Sequence, residues 1–126
     1  MQIPENLKYT SEHEWVEDLG ENRLRVGITD YAQDALGDVV FVQLPKMGAH
    51  LTGHALLAEV ESTKSVAEVY APAAGTVSEV NEELANHPEL INKDPYGAAW
   101  FCVLTVEDGP GLEGLLDPDG YRKLTE

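Results

Sequence analysis

Cysteine is almost missing from this chain: Cys102 is the only one in 126 residues. No intrachain disulfide is therefore possible. In the run Trp100-Phe101-Cys102-Val103-Leu104-Thr105-Val106 the thiol reads as a small buried hydrophobe in a strand, with no His or Asn close by in sequence to make it a nucleophile. Basic residues are scarce too. Eight Lys and Arg stand against 23 Asp and Glu, and the net charge of -15 repels phosphate backbones and anionic lipid surfaces. Neither nucleic acid nor membrane is expected as a partner. No apolar stretch approaches the length of a membrane span. The start, Met1-Gln2-Ile3-Pro4-Glu5-Asn6, has neither the basic flank and apolar run of a secretory signal nor the Arg-rich character of a transit peptide. A cytoplasmic location is the expectation.

The hydrophobic fraction of 43% and the charged fraction of 25% are those of a folded domain. A chain of this length buries roughly two thirds of the surface that it exposes when unfolded, enough for one ordinary core. The expectation is a single domain over residues 1–126, with no repeat and no linker long enough to divide it.

Short apolar runs separated by turn residues predict a mainly β fold, a sandwich or barrel and not a parallel α/β sheet. The predicted strands are Glu14 to Glu17, Arg23 to Ile28, Asp38 to Leu44, His54 to Glu61, Val66 to Tyr70, Gly75 to Val80 and Trp100 to Val106. Short helices fit between and after them. Asp30 to Leu36 opens on an acidic cap, carries Gln33, and ends at Gly37, where a left-handed residue is required. Asn81 to Ala85 makes one turn ahead of Pro88. Asp117 caps a C-terminal helix whose first position is Pro118, and the tail around Tyr121 is expected to pack back on the sheet.

The informative stretch runs from Glu59 to Val77. Val60 and Val66 flank the polar segment Glu61-Ser62-Thr63-Lys64-Ser65, whose hydroxyls stabilise a tight turn. Lys64 thus falls at the tip of a hairpin spanning about 54–70. A lysine there is accessible to a modifying enzyme and holds a tether clear of the body. On local composition alone the favoured reading is an ordinary solvated turn lysine.

What lifts Lys64 out of the ordinary is a pattern. Glu61-Ser62-Thr63-Lys64 followed by Pro72-Ala73-Ala74-Gly75-Thr76-Val77 resembles the lipoyl attachment hairpin and its following strand. Biotin carriers usually place methionines beside their lysine, where Thr63 and Ser65 stand here, and this favours lipoate. The flanks narrow the resemblance to the glycine cleavage H protein family, along nearly the whole chain. They are Ser11-Glu12-His13-Glu14-Trp15-Val16, the run from Val26 to Val42, Val80-Asn81 with Leu90-Ile91-Asn92, and Asp94-Pro95-Tyr96-Gly97 before Trp100. Thr63 and Ser65 depart from the family's usual apolar residue and Ala, and Ala98-Ala99 stands where Gly-Trp is common. These small side chains leave a turn feasible and the acceptor in place.

The resemblance implies a flattened β-sandwich, or barrel-sandwich hybrid of the lipoyl-domain type, with short helices including a C-terminal one. It implies a carrier without its own active site, bearing lipoate in amide linkage on Lys64. By resemblance the arm takes an aminomethyl group from the pyridoxal-phosphate glycine decarboxylase (P protein) as carbon dioxide leaves. It passes the one-carbon unit to tetrahydrofolate on the aminomethyltransferase (T protein), freeing ammonia, and is reoxidised by dihydrolipoamide dehydrogenase (L protein). A lipoate ligase or a lipoyl/octanoyl transferase would load it. The loaded arm would fold onto a surface cleft, with Glu14 placed there as a polar contact. The competing role for Glu14 is a capping-box carboxylate with Ser11.

The same residues admit other readings. A biotinyl or different lipoyl module lacks the flanking segments. A small enzyme using Glu14 and His13 lacks a nucleophile, a metal cluster and a phosphate loop, so His13 reads as a surface or packing histidine. An H-like protein that relays lipoate or octanoate to other acceptors would share the sequence. His50 and His54 have the spacing of metal ligands on a helix, but Gly48, Thr52 and Gly53 argue against a helix there. Trp15 and Trp100 are expected as core anchors.

Overall fold

The computed structural model describes residues 2–106 and 114–126. Within them the chain forms two antiparallel sheets and short helices, as the alternating pattern predicts. The strands are β1 (Lys8–Tyr9), β2 (Glu14–Gly20), β3 (Arg23–Ile28), β4 (Val39–Gln43), β5 (His50–Leu51), β6 (Leu56–Ser62), β7 (Val66–Tyr70), β8 (Gly75–Val80) and β9 (Cys102–Val106). The larger sheet has the order β1-β2-β3-β9-β8-β5 and the smaller one β4-β6-β7. The helices are α1 (Asp30–Leu36), α2 (Glu82–Asn86), α3 (Leu90–Lys93) and α4 (Pro118–Thr125).

All the expected strands are present. Strands β1 and β5 are additions, each only two residues long. Two residues carry no alternation to read, so only their pairing with β2 and β8 defines them. The expected strand at His54 begins instead at Leu56, because His54 sits at φ 66 in a turn. Helix α1 has the expected bounds but a different cap. Thr29, in extended conformation, accepts a hydrogen bond from the Ala32 amide, while Asp30 lies in the first turn and its carboxylate takes one from the Gln33 side chain at 2.7 Å. Gly37 closes the helix at φ 80. Asp117 caps α4 by accepting from the Gly120 amide, with Pro118 next.

The main core lies between the sheets. Val42 and Val60 of the smaller sheet pack in one cluster with Val26, Val77, Phe101 and Leu104. A second cluster of Leu7, Tyr9, Trp15 and Tyr121 attaches α4 to β1 and β2, with Tyr9 and Tyr121 stacked at 4.7 Å between centroids. Gly75, the glycine of the motif after the hairpin, has a packing reason. A Cβ there would stand 2.6 Å from the Thr105 carbonyl oxygen across the β8–β9 ladder.

Candidate functional site: a hairpin lysine beside an acidic cleft

Strands β6 and β7 form a hairpin in which Glu61 pairs with Val66. Residues 63–65 make its exposed tip. The turn is organised by one hydroxyl. Ser62 Oγ accepts from the Ser65 amide at 3.0 Å and from the Lys64 amide at 3.3 Å, while the Ser62 amide donates to the Ser65 carbonyl at 2.8 Å. The Thr63 amide donates to the Asp38 carbonyl at 3.0 Å, which ties the tip to the loop between α1 and β4. Thr63 and Ser65 are exposed, so the two departures from the family's usual residues leave the packing untouched.

Lys64 itself is exposed, and among the described residues its ammonium forms no ion pair. Its Cε lies 3.6 Å from where a Cβ on Gly37 would stand, so the stem leans along that glycine. The arrangement is a fixed backbone carrying a free amine, which suits acylation by an enzyme that removes the proton.

Two cavities of about 280 Å³ flank the smaller sheet. One, near Leu44, Pro45, Leu51 and Leu56, includes no residue of the tip in its lining. The other reaches it: Ser65 and Val66 line its rim, Ile28, Leu36 and Val69 its apolar floor, and Glu12, His13, Glu14, Tyr31 and Glu68 its polar wall. A tether on Lys64 therefore starts one residue from the rim of this acidic cleft.

Glu14 lines the cleft at the start of β2 with only 2% of its surface exposed. Its Oε1 accepts from Thr10 Oγ1 at 2.8 Å and its Oε2 from the Tyr70 amide at 3.0 Å. Burial pushes its carboxyl up to about 7, against the lowering effect of those two hydrogen bonds. The capping box with Ser11 does not form, because Ser11 lies in a turn and no helix begins there. Thr10 takes that place, its hydroxyl also accepting from the Glu12 and Glu14 amides.

His13 lies in the same wall, at φ 72. Its Nδ1 is 2.8 Å from the Tyr121 hydroxyl, which is 2.7 Å from Thr29 Oγ1, and its ring stacks on Tyr31 at 4.5 Å. The packing reading of His13 holds, and the residue reaches the cleft as well. Local sequence had no signal for the partnership, since His13 and Tyr121 are 108 positions apart.

The remaining candidates do not line this cleft. His50 pairs with Thr76 in β5, His54 sits in its turn, and among the described residues no group of three or more His, Cys, Asp or Glu could hold a metal ion. Trp15 is fully buried with its indole N–H donating to the Pro95 carbonyl at 2.9 Å, as a core anchor should. Trp100 is only half-buried and carries the Arg25 guanidinium 5.2 Å above its ring. Cys102 is fully buried, and burial pushes its thiol up to about 12. No helix among the described residues is long and apolar enough to cross a membrane.

Comparison with known proteins finds relatives along nearly the whole chain. The family model described as glycine cleavage H-protein matches residues 7–126. The glycine cleavage system H protein of Mycobacterium avium (strain 104) is 56% identical over 129 residues, covering 98% of each chain. That of Micrococcus luteus is 52% identical over 124 residues, covering 98% of this chain and 97% of its own. The crystal structure of a glycine cleavage system H protein from Mycobacterium marinum superposes with a TM-score of 0.87 at 39% identity, over 96% of this chain and 97% of that one. The chain belongs to the glycine cleavage H-protein family.

Proposed function

We propose that this chain is the lipoyl carrier of the glycine cleavage system, a single carrier domain over residues 1–126 with Lys64 as its attachment site. One observation carries the reading: the exposed Lys64 amine stands on a hydrogen-bonded turn whose rim opens directly into an acidic cleft. The residues fit the group, since a lipoyl amide needs an accessible primary amine and its arm needs an adjacent groove. When bound, the group would supply a disulfide that takes an aminomethyl unit on one sulfur while the other becomes a thiol, and that is a dithiol once the unit has been passed on. Tethering makes each transfer depend on docking and not on diffusion of a free intermediate.

The chain's own contribution is positional. Ser62 and the Thr63–Asp38 bond hold the tip while Lys64 projects. The cleft shields a loaded arm from water, with Glu14 as a polar contact. The partners are the glycine decarboxylase, the aminomethyltransferase, the dihydrolipoamide dehydrogenase, and the lipoate ligase or lipoyl/octanoyl transferase that installs the arm, all meeting the carrier in the cytoplasm. The net charge of -15 steers it towards basic patches on such enzymes. The chain acts as carrier and not as enzyme.

The test is mass spectrometry after incubation with a lipoate ligase, ATP and lipoate. One lipoyl mass on the Lys64 peptide is expected, and none on Lys64→Arg, which keeps the charge and removes the acylatable amine. Modification of a different lysine, or of none, would remove the basis of the reading.

A further inference from the structure

His13 is held more firmly than packing requires. A non-glycine residue at φ 72 is uncommon and survives only where its surroundings over-determine it. Here the Thr29 amide donates to the His13 carbonyl at 3.0 Å, the His13 amide donates to the Thr10 carbonyl at 3.2 Å, and the ring lies against Tyr31 and edge-on to Tyr121.

Hydrogen-bond accounting favours one tautomer of His13. Thr29 is fully buried, and its Oγ1 already accepts from the Ala32 amide at 3.2 Å. Its hydroxyl proton needs an acceptor, and among the described residues the Tyr121 oxygen at 2.7 Å is the one its hydroxyl meets. Tyr121 then donates its own proton to His13 Nδ1 at 2.8 Å. A neutral imidazole that accepts at Nδ1 carries its proton on Nε2, and burial does hold the ring below its ordinary 6.5. Among the described residues Nε2 has no protein partner, and the residue lines the cleft.

We propose that His13 is a contact residue of the loaded arm, donating its Nε2 proton to the lone pair of the arm's amine, with Tyr121 of the C-terminal helix as its positioning residue. This rests on the carrier reading. The contact complements the carboxylates of the cleft, which accept the amine's own protons. It also has a chemical consequence. A loaded arm is lost when the nitrogen lone pair forms a C=N bond as the C–S bond breaks and its electron pair leaves with sulfur. Water converts the resulting iminium to formaldehyde and ammonium, and the thiolate takes up a proton. A donor on that lone pair slows the first step.

The experiment uses the full chain with ¹⁵N-labelled histidine, lipoylated by a ligase and then loaded by glycine decarboxylase with glycine. Long-range ¹H–¹⁵N spectra should show His13 protonated at Nε2 before loading, and its Nε2 resonance should move once the loaded mass is present. Tyr121→Phe should raise the Nδ1-protonated fraction and speed formaldehyde release roughly two- to ten-fold, the worth of one hydrogen bond. An Nδ1-protonated wild type, or an Nε2 signal unmoved by confirmed loading, overturns the proposal even if the Tyr121 variant does not fold. Failure of Lys64 to gain any lipoyl mass is a different result: it removes the carrier reading, and this contact with it.

Discussion

The Glu14 carboxylate and the Tyr70 amide meet at 3.0 Å, joining β2 of the larger sheet to β7 of the smaller one. Glu14 lines the cleft, so this contact ties the cleft wall to the hairpin that carries Lys64. It also places an ionisable group where water is excluded, with consequences for pH.

Because burial raises Glu14 to about 7 from its ordinary 4.5, the folded protein binds a proton that the unfolded chain has released between those values. The sign follows: the group's unfavourable contribution is absent below about pH 4.5, grows as pH rises, and is complete above about 7, reaching about 3 kcal/mol at most. Urea midpoints for the wild type should therefore gain on those of Glu14→Gln as pH falls from 7 to 5. Parallel curves for the two proteins would contradict the buried, protonating carboxyl.

Ser62→Ala removes the oxygen that accepts from the Lys64 and Ser65 amides. We expect a loss of about 1 kcal/mol and faster amide exchange at residues 63–65, with slower lipoylation of Lys64 by a ligase that needs an ordered tip. Hydrogen exchange and a timed mass assay read the two effects separately. A variant modified as fast as wild type, despite a loosened tip, would show that order at the turn is irrelevant to recognition.

At Gly75 an added methyl meets backbone and not a yielding side chain, since Thr105 O stands 2.6 Å from the Cβ position. Gly75→Ala should cost about 1–3 kcal/mol by denaturant unfolding and should disturb the β8–β9 pairing first. The lysine hairpin, paired within the other sheet, should keep its amide protection.

Cys102 should be silent towards thiol reagents in the native protein, because it is fully buried and its thiol is held near 12. Any thiol titrated in native lipoylated and reduced protein then belongs to the arm. Rapid labelling of Cys102 in unmodified native protein would mean that the β9 core opens readily.

Much of the chain was legible from its residues. Strands of five or more residues show alternation or apolar runs, Asp117-Pro118 marks the start of α4, and the hydroxyl-rich segment around Lys64 has no better use than a turn. These are local matters, decided by side-chain period and backbone preference within a few positions. Thr29 as the cap of α1 was missed because Asp30 is an equally good capping residue by type, and only the backbone angles separate them. The two-residue strands β1 and β5 exist only through their partners.

The cleft belongs to the other category. Sequence marked Lys64 and brought Glu14 and His13 to notice, but it could not bury Glu14 beneath Tyr70, replace Ser11 by Thr10 as its neighbour, or bring Tyr121 to His13 from the far end of the chain. Those relations arise where two sheets and a terminal helix are packed together. Burial and long-range hydrogen bonds are properties of that packing, and they alone decide which of the chain's many carboxylates and histidines acquire unusual chemistry.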